Sequence, residues 1–140
     1  MQRRYKTDHP DQTEALGGRL ARSLKAGDVV LVEGELGAGK TTFVRGACQA
    51  LGVTAFVTSP TFTIGQRYPG GPVAVAHLDL FRVRDLAEED PDLLADYLGP
   101  DTIGFVEWPD GESEFARLSR IAARVRIEHA GAERRFVEIT

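Results

Sequence analysis

Between residues 34 and 41 the chain reads Gly34-Glu35-Leu36-Gly37-Ala38-Gly39-Lys40-Thr41, which satisfies G-x-x-x-x-G-K-[ST] at every constrained position. The residues before it, Val29-Val30-Leu31-Val32, form a continuous apolar run suited to a central strand buried on both faces. The residues after it carry helix formers at apolar helical spacing as far as Gly52, a helix-stop residue. Strand, glycine loop and helix in that order constrain the fold more than any other feature. Glycines let the backbone curl with its N–H groups turned inward, and the following helix adds its positive N-terminal end. That is a cradle for polyphosphate. Lys40 reaches the β- and γ-phosphates, and the Thr41 hydroxyl is placed to ligate Mg²⁺. The strand and helix flanks argue against a glycine-rich turn that matches by accident.

The rest of the chain reads as alternating elements. Asp8 and Pro10 look like the cap and first turn of a helix, and Ala15, Leu16, Leu20, Ala21 and Leu24 recur at helical spacing until Gly27. A short strand is expected over Gln2 to Thr7. Segments 62–68 and 72–80 flank Pro69-Gly70-Gly71 and read as a hairpin. Residues 85–97 are acidic with a narrow leucine stripe, which suggests short helices interrupted at Pro91. Ile103-Gly104-Phe105-Val106 is a further buried strand, and the tail alternates around Ala130-Gly131 as a final hairpin. The expected fold is α/β: a single P-loop NTPase domain over residues 1–140, three-layered, with a mixed, mainly parallel central sheet and antiparallel hairpins.

Composition removes several classes. Cys48 is the single cysteine, so an intrachain disulfide framework and a Cys/His zinc cluster are excluded. No apolar run approaches the roughly 18 residues of a membrane helix, and no apolar segment follows the amino terminus, so a cytoplasmic protein is expected. A net charge of −4 argues against nucleic-acid binding through a general basic surface. The charge is uneven: 12 of the 21 acidic side chains lie between residues 79 and 114. That block contains acids suited to Mg²⁺, and its 88–96 portion reads as a solvated or partner-facing helix.

A guanine-specific site would need an Asn-Lys-x-Asp-type segment, but the chain contains no asparagine. GTP is therefore disfavoured and ATP is the expected nucleotide. A P-loop enzyme also needs an acid at the end of a neighbouring strand. Two candidates stand at such ends, Glu107 after Ile103–Val106 and Asp79 after Val73–Leu78. Ser59-Pro60-Thr61-Phe62-Thr63 lies where segments that sense the γ-phosphate commonly occur, and Thr61 is the candidate there. Trp108 reads as a packed aromatic or, with Pro109, a docking surface. His77 reads as a structural residue or one that supports a neighbouring acid.

Gly34 to Thr42, Ser59 to Thr63, His77-Leu78-Asp79-Leu80-Phe81-Arg82 and Glu107-Trp108-Pro109 occur in the order and spacing of the TsaE (YjeE) family, which the chain resembles over nearly its whole length. The resemblance implies a bacterial ATPase needed for threonylcarbamoyladenosine modification of adenosine 37 in tRNAs that read codons beginning with A. It implies action with TsaB and TsaD, TsaD performing the transfer and ATP hydrolysis driving or resetting the complex. tRNA would be met only through that complex, with no DNA and no membrane involved. Position by position, Glu35, Leu36, Gly37, Ala38, Gly39, Lys40, Thr41 and Thr42 resemble the nucleotide loop. Thr41 and Glu107 resemble Mg²⁺ ligands, and Asp79 a catalytic or metal-water acid. Thr13 and Thr61 resemble nucleotide-contacting positions, and Trp108 a nucleotide-site or partner-facing tryptophan. Phe81 stands where the family usually has tyrosine, and the Leu-Pro that often follows Glu-Trp is missing from residues 111–117.

The mechanism these residues suggest is hydrolysis of Mg-ATP by a positioned water. Lys40 offsets charge on the γ-phosphate, and Glu107 or Asp79 orients the water. Arg82 and Arg84 lie near Asp79 in sequence, but neither is clearly aimed at the γ-phosphate, so a partner arginine and slow isolated turnover are expected. Two rival classes are a small-molecule kinase, for which the chain is short of a substrate subdomain and lid, and a non-catalytic module that ATP merely orders.

Overall fold

The run Val29–Val32 occupies the middle of a seven-stranded sheet with strand order β1-β7-β6-β2-β5-β4-β3. The computed structural model describes residues 2–59, 64–69, 71–81, 92–109 and 111–140. In chain order the elements are β1 (Arg3–Thr7), α1 (Pro10–Ala21), β2 (Asp28–Gly34), α2 (Lys40–Ala50), β3 (Gly65–Tyr68), β4 (Ala74–Asp79), α3 (Asp92–Ala95), β5 (Thr102–Glu107), α4 (Ser113–Leu118), β6 (Arg120–His129) and β7 (Arg135–Ile139). The four central strands β6, β2, β5 and β4 run parallel. The outer pairs β4–β3, β6–β7 and β7–β1 are antiparallel. This is the mixed α/β sheet the sequence predicts.

Alternation along β2 explains the three layers. Val30 and Val32 join Leu16, Phe43, Val44 and Ala47 from α1 and α2 in one buried cluster. Val29 and Leu31 point the other way, into a cluster with Leu94, Leu98 and Phe115 from the α3 and α4 side. A strand covered on both faces must be apolar at consecutive positions, which is why this run lacks polar alternation. Gly104 in β5 lets Leu98 pack close, since a Cβ there would meet the Leu98 side chain at 2.3 Å.

Helices α1 and α2 approach at backbone distance. A Cβ on Gly17 would lie 2.1 Å from the Phe43 carbonyl oxygen, and one on Gly46 would lie 1.9 Å from that of Glu14. The α2 terminus is a Schellman motif: Gly52, at φ +91°, and Val53 donate their N–H groups to Gln49 and Cys48.

Local details depart from the expected boundaries. His9, not Asp8, stands at the N-cap, and Pro10 occupies the first helical turn. The Asp8 N–H instead donates to Gln12 Oε1 at 2.7 Å. Helix α1 stops at Ala21 although the apolar spacing runs on to Leu24: the Ser23 and Leu24 N–H groups close tighter turns on the Leu20 and Ala21 carbonyls, and the Asp28 N–H closes a further turn on Lys25. Helix α4 and the pairing of β1 with β7 were not legible in the sequence. The hairpins are present as β3–β4 and β6–β7. The helical expectation for residues 85–91 and the start of the first hairpin at 62–63 lie outside the described residues.

Asp28 ties these turns to the sheet. Its carboxylate, 1% exposed, accepts Arg120 Nε and Nη2 at 2.8 and 3.1 Å and the Lys25 N–H at 2.9 Å. Burial alone would raise its pKa, but Arg120 and the Lys25 N–H together hold the carboxyl below its ordinary value. The native state then binds fewer protons than the unfolded chain, so this stabilisation is complete above the ordinary aspartate range and fades as pH falls through the native value. Asp28→Ala is expected to cost about 1.5–3 kcal/mol at neutral pH. Urea unfolding at a series of pH values measures it, the gap to wild type narrowing with acid.

Candidate nucleotide site

The loop between β2 and α2 takes its shape from backbone conformations that side chains oppose. Gly37 and Gly39 sit at φ +75° and +103°, and a Cβ on Gly34 would lie 2.5 Å from the Ile127 carbonyl oxygen. Gly39 is the N-cap of α2, so the first free N–H groups of the helix open at the loop. The Lys40 ammonium donates to the Gly34 and Glu35 carbonyls at 2.7 and 2.8 Å and lies 4.0 Å from the centroid of the Trp108 ring. With 4% of Lys40 exposed, burial lowers its pKa below the usual lysine value, while Glu107 and Asp79 work in the opposite direction.

Both expected acids arrive beside this loop. Strands β4 and β5 are parallel neighbours, and Asp79 pairs in register with Glu107 at their carboxyl ends. Glu107 is 2% exposed, and its two oxygens accept the Thr41 hydroxyl at 3.1 and 3.0 Å. The Nε2 of the fully buried His77 bonds the same carboxylate. The other ring nitrogen, Nδ1, is buried without a hydrogen-bond partner among the described residues. Thr41 has one hydroxyl proton, which it gives to Glu107. Ser59 Oγ, 2.7 Å away, therefore donates to Thr41.

Asp79 has different partners. Its Oδ1 accepts the Phe81 N–H at 3.1 Å. Burial raises its pKa above the ordinary aspartate value, the Phe81 N–H opposes that rise, and the charge of Glu107 adds to it. Asp79, Glu107, Lys40, Thr41, Thr42 and Ser59 line one cavity of about 320 Å³, with Leu36, Gly37, Gly39, Phe81 and Trp108 at its walls.

The other expected residues are placed as follows. Trp108 adopts φ +58° and packs its ring 4.8 Å from that of Phe81, over the Lys40 ammonium. Leu36 is 72% exposed at the loop tip. Leu36 and Glu35 also border a second, larger cavity of about 670 Å³ with Trp108 and Pro109. Thr13 is buried and its hydroxyl bonds Thr7 at 2.8 Å, so it faces β1; it borders a small cavity of about 50 Å³ with Gly39, Thr42 and Arg135. Thr61, Arg82 and Arg84 lie outside the described residues. Arg135 was not singled out by the sequence, because an arginine at the start of an alternating strand carries no signal of its own. Among the described residues no group of three or more His, Cys, Asp or Glu can hold a metal. The Thr41 hydroxyl and Glu107 carboxylate nevertheless form a hard oxygen pair beside the loop, a donor set that suits Mg²⁺ completed by phosphate and water.

A central parallel strand feeding a glycine loop and a helix, with a lysine in the loop and acids on adjacent strand ends, defines a P-loop nucleotide-binding protein. Residues 7–137 match the family model of the threonylcarbamoyl adenosine biosynthesis protein TsaE, and the chain belongs to that family. The tRNA threonylcarbamoyladenosine biosynthesis protein TsaE of Bacillus subtilis is 37% identical over 140 residues, covering 99% of this chain and 85% of the relative. Its counterpart of the same name in Streptomyces coelicolor is 45% identical over 118 residues, covering 82% and 78%. The crystal structure of Bacillus subtilis YdiB superposes with a TM-score of 0.74 at 31% identity, over 99% of this chain and 84% of that one.

Because the native pKa of Asp79 is raised, the folded state binds more protons than the unfolded chain between the two pKa values, and stability falls as pH rises through that window. Asp79→Asn removes the penalty. The variant is expected to melt at a higher temperature than wild type at neutral pH, with the difference closing below the ordinary aspartate range, as followed by circular dichroism.

Proposed function

We propose that the chain, as one domain over residues 1–140, hydrolyses Mg-ATP to ADP and phosphate and works in the cytoplasm with a TsaB–TsaD complex, meeting tRNA only through it. Its role in tRNA threonylcarbamoyladenosine biosynthesis is that of its family. The hydrolytic reading rests above all on the join between Thr41 of the loop and the buried Glu107 carboxylate.

In this reading the phosphates enter the cavity along the N-terminus of α2, and Lys40 exchanges the Gly34 and Glu35 carbonyls for phosphate oxygens. When bound, Mg²⁺ supplies positive charge that neutralises the β- and γ-phosphates, and Thr41 and Glu107 are the residues that would hold it. Trp108, braced by the Phe81 ring, covers the lysine and limits water around the γ-phosphate. His77 keeps Glu107 in a single orientation. Glu107 or Asp79 orients the attacking water, and the other acid supports the site. A partner-supplied arginine and weak activity in isolation are part of this reading.

The decisive test is reconstitution of tRNA modification with purified TsaB and TsaD, followed over several turnovers. Lys40→Ala is expected to lose nucleotide binding. Glu107→Ala is expected to lower ATP hydrolysis by about 10²-fold or more, the range for removing a group that stabilises developing charge, and to stall modification after one round. Sustained modification by a Glu107→Ala protein that no longer hydrolyses ATP would overturn this reading, as would γ-phosphate transfer to a small-molecule acceptor.

A further inference from the structure

The phosphate loop is held on its outer side by the carboxyl-terminal hairpin. Arg135, the first residue of β7, donates from Nε to the Ala38 carbonyl at 2.8 Å and from Nη2 to the Gly37 carbonyl at 3.3 Å. Its Nη1 donates to the Ala132 and Arg134 carbonyls at 2.8 and 2.7 Å. One guanidinium thus bridges the hairpin turn and two successive peptide groups of the loop. The turn is itself unusual, since Ala132 sits at φ +50°, a conformation that a Cβ disfavours. The Arg135 bond to the Ala132 carbonyl helps hold it there.

In a trans peptide the C=O and the following N–H point in opposite directions. No peptide bond here is cis, so holding the Ala38 carbonyl against Arg135 turns the Gly39 N–H to the side away from the guanidinium, and Gly39 itself lines the cavity with Lys40 and Thr41. The neighbouring Ala38 N–H is already committed to the Glu35 carbonyl at 3.0 Å. Gly39 therefore depends on an external contact for its direction, and at φ +103° it lacks a side chain that would restrict it. Arg135 Nε lies 3.8 Å from where a Gly39 Cβ would be. Lysine has three donors on one atom and cannot span Gly37, Ala38 and the hairpin turn together, whereas the planar guanidinium fork does.

We propose that Arg135 is a positioning residue for nucleotide binding: it fixes the peptide planes of Gly37–Gly39 so that the loop presents its N–H groups to the phosphate shared by ATP and ADP. This rests on the nucleotide-binding reading of the loop. The test is calorimetric titration of Mg-ATP and Mg-ADP into wild type, Arg135→Lys and Arg135→Gln, with circular dichroism confirming that each is folded at the titration temperature. Both variants are expected to bind both nucleotides about tenfold more weakly, a loss the size of one charge-assisted hydrogen bond. Arg135→Met replaces any variant that does not fold.

Wild-type affinity in Arg135→Lys would overturn the proposal, because charge alone would then suffice. A loss confined to ATP would also overturn it by making Arg135 a γ-phosphate contact. A lower melting temperature with unchanged affinities would reduce it to a purely structural residue. Wild type that binds neither nucleotide would instead refute the nucleotide-binding reading itself.

Discussion

The Glu107 carboxyl ends a strand with almost no access to water, and a buried polar group of that kind persists only where hydrogen-bond partners surround it. Thr41 supplies one from the phosphate loop and His77 another from β4. Three elements that are distant in the chain are thereby joined at one group: the start of α2, the middle of β4 and the end of β5. The parallel order β2-β5-β4 makes the arrangement available, since it brings the carboxyl ends of these strands to one edge. Removing Thr41 would leave Glu107 Oε1 without a donor, and removing His77 would leave Oε2 with only a share of the Thr41 hydroxyl, so loop, acid and histidine form a single unit.

The same loop is limited by contacts that allow little volume. Gly17 and Gly46 bring α1 and α2 to backbone distance, Gly34 lies against the Ile127 carbonyl, and Arg135 holds the outward carbonyls. Close packing of this kind resists small displacement. A cradle for phosphate has to be formed before the ligand arrives if binding is not to be spent on ordering backbone. The framework around the loop is consistent with that need, whereas Leu36, at its tip, remains exposed.

The two acids show how environment separates like residues. Glu107 is bonded to two side chains, while Asp79 is bonded to a backbone N–H and has a raised pKa from burial. Their strand-end positions were readable from apolar runs that each stop at an acid. Their different surroundings were not, because these are contributed by other elements. His77 shows the same boundary: its strand marks it as a structural residue or a support for a neighbouring acid, but only the β4–β5 pairing brings it to Glu107.

From the sequence alone one reads the strand–loop–helix, the buried central strand, the hairpins, and Lys40, Thr41, Asp79 and Glu107 as candidate residues that the fold then brings to one cavity. Those follow from local patterns, namely glycine spacing, uninterrupted apolar runs and acids at strand ends. Tertiary structure decided the rest: the shortened α1, the pairing of β1 with β7, the Thr13 hydroxyl turned to Thr7, and Arg135 braced against a loop 97 residues away. Such features depend on which backbone carbonyls come within reach of a given side chain. That reach is set by strand order and register, which no local periodicity encodes.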